Sequence, residues 1–170
     1  MQTQNDPYWK LRPPPPTPVE ELCACAPVTP LVLQPHLTSN PLSCARCNLE
    51  VPPERIGFDE ALADALASWR DFHDCFFFLW LDSGAFEEWA LTHLRDPFSV
   101  VNTRGLELAA SVSKYRRCYL WWFQEEGNDD GVQPTRCPRC AGALVVIFRG
   151  ERPQSGSLLI CEKCSIAHAV

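Results

Sequence analysis

The cysteine spacing between residues 137 and 164 constrains the fold more than any other feature of the sequence. Cys137 and Cys140 form one C-x-x-C pair, and Cys161 and Cys164 form a second pair after twenty intervening residues. This spacing is typical of a four-cysteine zinc site, in which each pair forms a tight turn and the insert returns as a hairpin. Because four thiolates leave no open position for water, the predicted Zn²⁺ site is structural.

The residues between the two pairs fit such a hairpin. Residues 143–148 are apolar and rich in β-branched side chains, residues 150–156 contain turn-forming glycine and proline, and residues 157–160 form a second short apolar run. We therefore predict a zinc ribbon over residues 132–170. Disulfides or redox dithiols fit this pattern less well, since a redox C-x-x-C pair usually stands alone at the start of a helix.

A third C-x-x-C pair, formed by Cys44 and Cys47, provides half of a second zinc site. Its spacing does not identify the other half, and Cys23 and Cys25 are separated by a single residue, which is poor geometry for the same kind of turn. The alternative is a turn without metal, whose thiols pack as small apolar groups. Both interpretations stay open at this stage, and the candidate completing ligands are Cys23, Cys25, His36, Cys75 and Cys118.

Hydrophobic periodicity predicts an α+β fold, with a small mixed sheet of aromatic-rich strands, about three helices and the C-terminal ribbon. A helix is predicted over residues 59–72 with Asp59 as N-cap, a second over residues 86–94, and a third that Asn102 or Thr103 caps. The continuous apolar run Phe76–Leu81 predicts a core strand covered on both faces. The aromatic run 118–123 predicts a second strand beside it.

The distribution of proline predicts three regions. Residues 1–40 contain the run 13–16 and five further prolines, which favour extended backbone. We therefore predict an arm outside the folded domain, with at most an edge strand at residues 31–33. The arm is either loosely draped or a proline-rich ligand for an aromatic groove. Residues 41–131 then form the α+β domain with its N-terminal C-x-x-C turn, followed by the ribbon.

Charge is distributed unevenly along the chain. The net charge is −6, with residues 1–47 balanced, residues 48–130 carrying 16 acidic against 7 basic side chains, and residues 131–170 carrying 2 against 5. Such an acidic body repels a phosphate backbone and favours a protein partner with a basic surface.

The sequence lacks the usual patterns of catalytic sites. It contains no G-x-S-x-G, no H-E-x-x-H, no phosphate-binding glycine loop and no dinucleotide fingerprint. His73 and Cys75 stand two residues apart and point in different directions on a helix, so they do not form a nucleophile and base. We expect a protein that is not an enzyme and has no small-molecule substrate.

Cysteine usage bears on the compartment. The sequence has no membrane-spanning apolar stretch and does not open on a secretory signal. Ten cysteines without export favour the reducing cytoplasm, where thiols are retained for metal. We expect a cytoplasmic location without membrane association.

The order of several short segments resembles an uncharacterised bacterial family described as zinc-ribbon-containing, with a suggested role in nucleic-acid binding. The likeness runs from about Pro41 to the end of the sequence, and its most specific marks are the three cysteine pairs. The chain departs from the family pattern in its short, proline-rich N-terminal segment and at Ala141, where a glycine often follows the turn. The segments that carry it are Pro41-Leu42-x-Cys44-x-x-Cys47, Asp96-Pro97-x-Ser99, Gly105-x-Glu107-Leu108-Ala109, the aromatic strand from Cys118, and the two C-terminal pairs.

Two binding functions are consistent with these observations. In the first, the acidic body docks a basic protein partner, as small bacterial immunity and antitoxin proteins do. In the second, which the family resemblance implies, the ribbon binds nucleic acid while aromatic side chains stack on unpaired bases. The candidate nucleic-acid contacts are Arg136, Arg139, Arg149, Arg152 and Lys163.

Overall fold

The computed structural model describes residues 7–8, 11, 17–27, 29–35, 39–124 and 134–170. The proline run 13–16 and the acidic link 125–131 therefore fall outside the described residues. In chain order the elements are β1 (Leu31–Leu33), β2 (Leu42–Cys44), α1 (Glu60–Asp82), α2 (Glu87–Arg95), α3 (Val100–Val112), β3 (Cys118–Trp121), β4 (Val145–Ile147), β5 (Leu158–Cys161) and β6 (Ile166–Ala169).

The strands form one mixed six-stranded sheet in the order β2-β1-β3-β6-β5-β4. Strand β1 pairs antiparallel with β2 and parallel with β3, and β3 pairs parallel with β6. The predicted ribbon hairpin is present as β4 and β5, and β6 adds a third antiparallel strand. The mixed sheet with helices is thus confirmed, and its strand pairing crosses the predicted boundary at residue 132.

Strand β1 lies in the interior of the sheet, which corrects the prediction of an edge strand at residues 31–33. Leu31 donates its backbone N–H to the carbonyl oxygen of Arg117 at 2.7 Å, and all three residues of β1 are buried. No proline interrupts residues 31–33, so both edges of this strand can form hydrogen bonds.

Helices α1 and α3 each begin at a residue whose side chain caps the first turn. Asp59 caps α1 as predicted, because its carboxylate accepts the backbone N–H of Leu62 at 2.9 Å. Ser99 rather than Asn102 or Thr103 caps α3, and its hydroxyl accepts the backbone N–H of Asn102 at 3.3 Å. Asn102 is instead buried, where its amide donates to backbone carbonyls of the α2–α3 connection. A serine at this position satisfies an otherwise unpaired helix N–H group.

The apolar run Phe76–Leu81 is helical, and the prediction of a core strand there is wrong. It forms the second half of α1, which continues without a break from residue 60 to residue 82. No glycine or proline separates residues 72 and 76, so nothing in the backbone ends the helix early. A short apolar run fits a buried strand and a packed helix equally well. The length of the element distinguishes the two only when the residues at which it begins and ends are known.

Helix α1 is much longer than the strands on which it lies. Its 23 residues span about 34 Å at about 1.5 Å per residue. A four-residue strand such as β3 spans only about 13 Å. The C-terminal half of α1 packs against α2, as the stacked rings of Phe76 and Trp89 show. In the part of the chain that the structure describes, no helix is long and apolar enough to cross a membrane.

Each face of the sheet is covered by a different part of the chain. Helices α1 and α3 pack on one face, where Leu66, Trp69 and Ala109 meet buried side chains such as Leu120. The other face is covered by the connection between β4 and β5, which contributes Phe148. The helical layer thus lies on one side only.

Gly105 sets the distance between α3 and the sheet. A Cβ at this position would lie 2.9 Å from Leu120 Cδ1 and 3.0 Å from Trp69 Cζ2.

Replacing glycine with alanine in a helix interior ordinarily stabilises a protein by about 1 kcal/mol. We predict that Gly105→Ala instead lowers the free energy of unfolding by about 1–3 kcal/mol, because the added methyl overpacks the core. Urea unfolding at fixed free zinc measures the change, and equal or greater stability would contradict it.

Candidate metal centres

The C-terminal cysteines are presented by two turns of the same geometry. The turn from Cys137 to Cys140 closes when Ala141 donates its N–H to the Cys137 carbonyl at 2.9 Å, and Ala141 has φ 55°. The second turn connects β5 to β6 and is followed by Ser165, also with φ 55°. A residue in this left-handed region reverses the chain after each pair. Alanine and serine occupy these positions in place of the usual glycine.

The four thiols Cys137, Cys140, Cys161 and Cys164 converge on one point. All four Sγ atoms lie within 4.8 Å of one another, and the Cys140 and Cys161 Sγ atoms are 3.7 Å apart. Tetrahedral zinc with bonds of about 2.3 Å requires sulfur atoms about 3.8 Å apart. A disulfide requires about 2.05 Å, so the geometry fits zinc and excludes a bond between these two sulfur atoms.

The thiol pKa values indicate how the cluster ionises. The backbone N–H of Gly142 and the neighbouring thiols lower the pKa of Cys140 to about 7. Burial, together with the hydrogen bond to Cys140, raises the pKa of Cys164 to about 12. One thiol thus ionises readily, and the resulting thiolate opposes ionisation of the next thiol, because like charges at this distance repel. A divalent cation removes this opposition and allows four thiolates to coexist.

The turn from Cys161 to Cys164 is anchored to β3. Glu162 within this turn accepts a hydrogen bond from the Tyr119 hydroxyl at 2.6 Å and an ion pair from Arg117 at 2.7 Å. The Arg117 guanidinium also lies 4.6 Å from the centre of the Tyr119 ring. The C-terminal centre is therefore fixed to the central sheet and not only to its own hairpin.

The structure brings Cys44 and Cys47 together with Cys23 and Cys25. All four Sγ atoms lie within 4.8 Å of one another, and the Cys25 and Cys44 Sγ atoms are 3.9 Å apart. Although burial opposes ionisation, the backbone N–H of Cys47 and the Thr29 hydroxyl lower the pKa of Cys44 to about 7. This group has the same ligand chemistry as the C-terminal one.

The remaining candidate ligands lie elsewhere. Cys75 is exposed on α1, and Cys118 is buried in β3, where burial raises its pKa to about 12. His36 lies outside the described residues.

The Cys23–Cys25 segment supplies two ligands without forming a turn of the C-x-x-C type. Side chains at positions i and i+2 of an extended chain point to the same side, so both thiols can reach one ion. Cys23 donates its N–H to the Glu50 carbonyl at 2.7 Å, next to the bridge between Leu22 and Glu50. Arg55 donates to the carbonyl oxygens of both cysteines. These backbone contacts hold the segment against the Cys44–Cys47 turn.

The predicted nucleic-acid contacts do not share one environment. Arg136, Arg139, Arg149 and Lys163 are exposed, and the Arg139 guanidinium lies 5.8 Å from the Phe98 ring centre. Arg152 is buried and donates to the Ala45 carbonyl and the Asn48 side chain. The structure therefore removes Arg152 from the residues available to a phosphate backbone.

The two centres lie at the same end of the sheet. Cys44 is the last residue of β2 and Cys161 the last residue of β5, and each pairs with the first residue of a neighbouring strand. Strands β2 and β5 are four positions apart in the sheet, which places the centres roughly 19 Å apart at about 4.8 Å per strand.

A scan against protein-family models, a search of curated proteins and a search of solved structures find no match to this chain. The resemblance to a zinc-ribbon family stays a prediction. The assignment of the centres rests on their own geometry: two groups of four cysteines, each of which can hold one zinc ion.

We predict two zinc ions per chain, one for each group of four cysteines. Cys25→Ser should reduce the zinc content to one ion per chain, because a closed tetrahedral site loses most of its zinc affinity when one of its four ligands is removed. Cys75→Ser is the matched control and should retain both ions, since Cys75 is exposed and belongs to neither group. Elemental analysis of purified protein measures the content. One zinc per chain in the wild type would contradict two loaded centres, and an unchanged content in Cys25→Ser would then identify the N-terminal group as the one without metal.

Proposed function

We propose that this chain is a non-enzymatic zinc-binding protein that acts as a macromolecular binding module and docks a basic protein partner, in the manner of an immunity- or antitoxin-like inhibitor. Closed tetrathiolate centres support the non-enzymatic part, because they offer no position at which water is activated. Their place at one end of the sheet supports a structural role in holding short strands together.

The observation that carries this proposal is the composition of the helical hairpin formed by α1 and α2. We define the hairpin tip as residues 77–89, where α1 ends and α2 begins. Phe78 is 60% exposed and Trp89 is 49% exposed, and Leu81 and Phe86 are about half exposed as well. Large apolar side chains concentrated in this way mark interaction sites more often than ordinary surface.

Charge around the hairpin tip indicates the kind of partner. Residues 71–94 contain five carboxylates and no lysine or arginine. Asp82 and Glu88 are exposed within the tip itself. Apolar anchors with a rim of one charge sign are typical of an interface that selects a partner of the opposite sign. A basic protein surface with apolar side chains at its centre fits this arrangement.

A second copy of the chain fits the tip less well. Self-association through residues 77–89 would bring like carboxylates of both copies together, and like charges placed opposite each other cost several kcal/mol. The apolar side chains favour an interface, whereas the carboxylates select against this particular partner. We therefore assign the tip to a different, basic protein.

A defined probe tests the tip directly. The probe is a synthetic amphipathic peptide with leucine on one helical face and lysine on the other. We predict that Glu88→Lys weakens its binding about two- to fivefold at low salt, and that the difference fades as salt is added. Glu107→Lys on α3 is the matched control, because it makes the same charge change at an exposed helical site outside the tip. Calorimetric titration measures the affinities.

The apolar contribution is tested with Phe78→Ser, which should weaken binding of the same peptide at low and high salt alike. Val19→Ser is its control, since Val19 is exposed far from the tip in sequence. Equal affinities for the wild type, Glu88→Lys and Phe78→Ser would contradict docking at the tip. Proteins that the wild type captures from cell extract support docking at the hairpin tip only if Glu88→Lys fails to capture them and Glu107→Lys still captures them.

One observation favours the second candidate function, binding of nucleic acid. Phe98 is 70% exposed, and the Arg139 guanidinium of the Cys137–Cys140 turn lies near its ring. An exposed aromatic ring beside a cation is the arrangement that stacks on unpaired bases and neutralises phosphate. Arg136, directly before Cys137, is a second exposed cation near this turn, and its guanidinium donates to the Ala141 carbonyl at 3.0 Å.

Binding to a single-stranded oligothymidine distinguishes the two functions. If the ribbon binds nucleic acid, Arg139→Glu and Phe98→Ala should weaken binding, and Arg139→Glu should also reduce its salt dependence by about one phosphate contact. Arg116→Glu is the control, because Arg116 is exposed outside the ribbon. We expect no measurable binding near physiological salt. Binding that Arg139→Glu abolishes and Glu88→Lys leaves unchanged would replace our proposal with this alternative.

A further inference from the structure

The side chain of Arg152 is buried, and its hydrogen-bond acceptors lie 107 and 104 positions away in sequence. It lies in the connection between β4 and β5 and is 7% exposed. Its guanidinium donates to the Ala45 carbonyl at 2.6 Å and to Asn48 Oδ1 at 2.7 Å. Ala45 lies within the turn that presents Cys44 and Cys47, and Asn48 directly follows it. An arginine of the C-terminal ribbon therefore holds the metal-binding turn of the N-terminal centre.

A buried cation requires a compensating negative charge. Among the described residues, no carboxylate forms a salt bridge with Arg152. Its guanidinium instead meets the segment of Cys44 and Cys47, whose thiolates, once formed, are the negative charges that can offset it. Leaving a buried charge uncompensated costs several kcal/mol. Four thiolates around Zn²⁺ carry two net negative charges, so the loaded centre supplies the compensation. The Trp121 ring, 5.9 Å from the guanidinium carbon, supplies a second favourable contact.

The acceptor on Asn48 matches this role. Asn48 follows the turn with φ 60° and donates its backbone N–H to the Cys44 carbonyl at 2.9 Å. Arg152 thus holds the residue that reverses the chain after Cys47, as well as the carbonyl of Ala45 within the turn. The surface contact between Arg46 and Glu151, at 3.1 Å, joins the same two segments but is half exposed and contributes little.

We infer that Arg152 is the counter-charge and positioning residue of the N-terminal zinc centre, and that it couples zinc retention there to the folding of the C-terminal ribbon. The ribbon loop carries Arg152, and the ribbon in turn is closed by the C-terminal centre. Loading one centre therefore favours loading the other, since both stabilise the arrangement in which the guanidinium meets the turn. This inference rests on zinc binding at both centres and is independent of the partner proposed above.

Zinc release to a chromogenic chelator tests the first part. Arg152→Met should accelerate release of one of the two zinc ions about tenfold or more, the range typical for loss of a hydrogen-bonding partner outside the ligands. The release rate of Arg152→Lys should lie between those of Arg152→Met and the wild type, because lysine retains the charge but lacks the forked geometry of the guanidinium. Arg149→Met, in the same loop but exposed, is the control that should release zinc at the wild-type rates.

Cadmium substitution assigns the effect to a centre. Each tetrathiolate group gives its own cadmium NMR resonance, and Cys25→Ser identifies the resonance of the N-terminal centre. In Arg152→Met that resonance should weaken or shift more than the resonance of the C-terminal centre. Equal acceleration at both centres, or wild-type release from both, would overturn the inference. If Arg152→Met does not fold, Arg152→Lys alone decides, since wild-type release rates in that variant would exclude the forked contact as a determinant.

The coupling itself is tested by a double-mutant cycle. Cys164→Ser should accelerate zinc release from the N-terminal centre even though it alters no ligand there. Adding Arg152→Met should produce little further acceleration, because both changes remove the same contact. Additive effects would show that Arg152 and the C-terminal centre act independently and would contradict the coupling. The zinc content of the wild type is measured separately. If it is two ions per chain, a negative result in the cycle reports failure of the coupling and not failure of zinc binding.

Discussion

The tetrathiolate centres are the constraint on which the rest of the structure depends. The strands contain only three or four residues each, which provides few ladder hydrogen bonds per strand. Both centres lie at the same end of the sheet, where Cys44 ends β2 and Cys161 ends β5. Each centre joins two segments that are separated by about twenty residues of chain, so the metal ions replace the cohesion that longer strands would provide. The buried cysteines Cys137 and Cys161 also belong to the main hydrophobic core, which ties metal binding to packing.

The sequence could predict the C-terminal centre because all its determinants are local. Two C-x-x-C pairs and the apolar runs between them fall within residues 137–164, and the predicted hairpin is present. The N-terminal centre was predicted only in half, because Cys23 and Cys25 lie about twenty residues before Cys44 and do not form the familiar turn. Arg55 and Arg152 could not have been found in this way, since their roles consist of contacts to backbone carbonyls that only the fold brings near. Strand β6 was missed because residues 166–169, Ile-Ala-His-Ala, contain only one large apolar side chain and form no strong apolar pattern.

Buried arginine gives the sheet a second connection between its halves. Strands β1 and β2 precede the helices in sequence, whereas β4, β5 and β6 follow them, and the two sets meet through β3. Arg152 crosses the face opposite the helices and reaches the Cys44–Cys47 turn directly. A hydrogen-bonded guanidinium is costly to bury without its partner, so this contact favours a single arrangement of the two halves. The same residue that the sequence indicated as a phosphate contact thus serves the interior of the protein.

The incorrect strand prediction at Phe76–Leu81 points to the surface that the metal centres leave free. A run of consecutive apolar residues predicts that every side of the segment is buried. A central strand of a sheet meets this condition when both faces of the sheet are covered. In helix α1 the same run has one side against α2 and Phe123, as the contact between Trp80 and Phe123 shows, while Phe78 and Leu81 stay exposed. Internal packing therefore accounts for only part of the apolar character of this segment. The remainder is explained if a partner covers the hairpin tip, and the carboxylates around it restrict that partner to a basic surface.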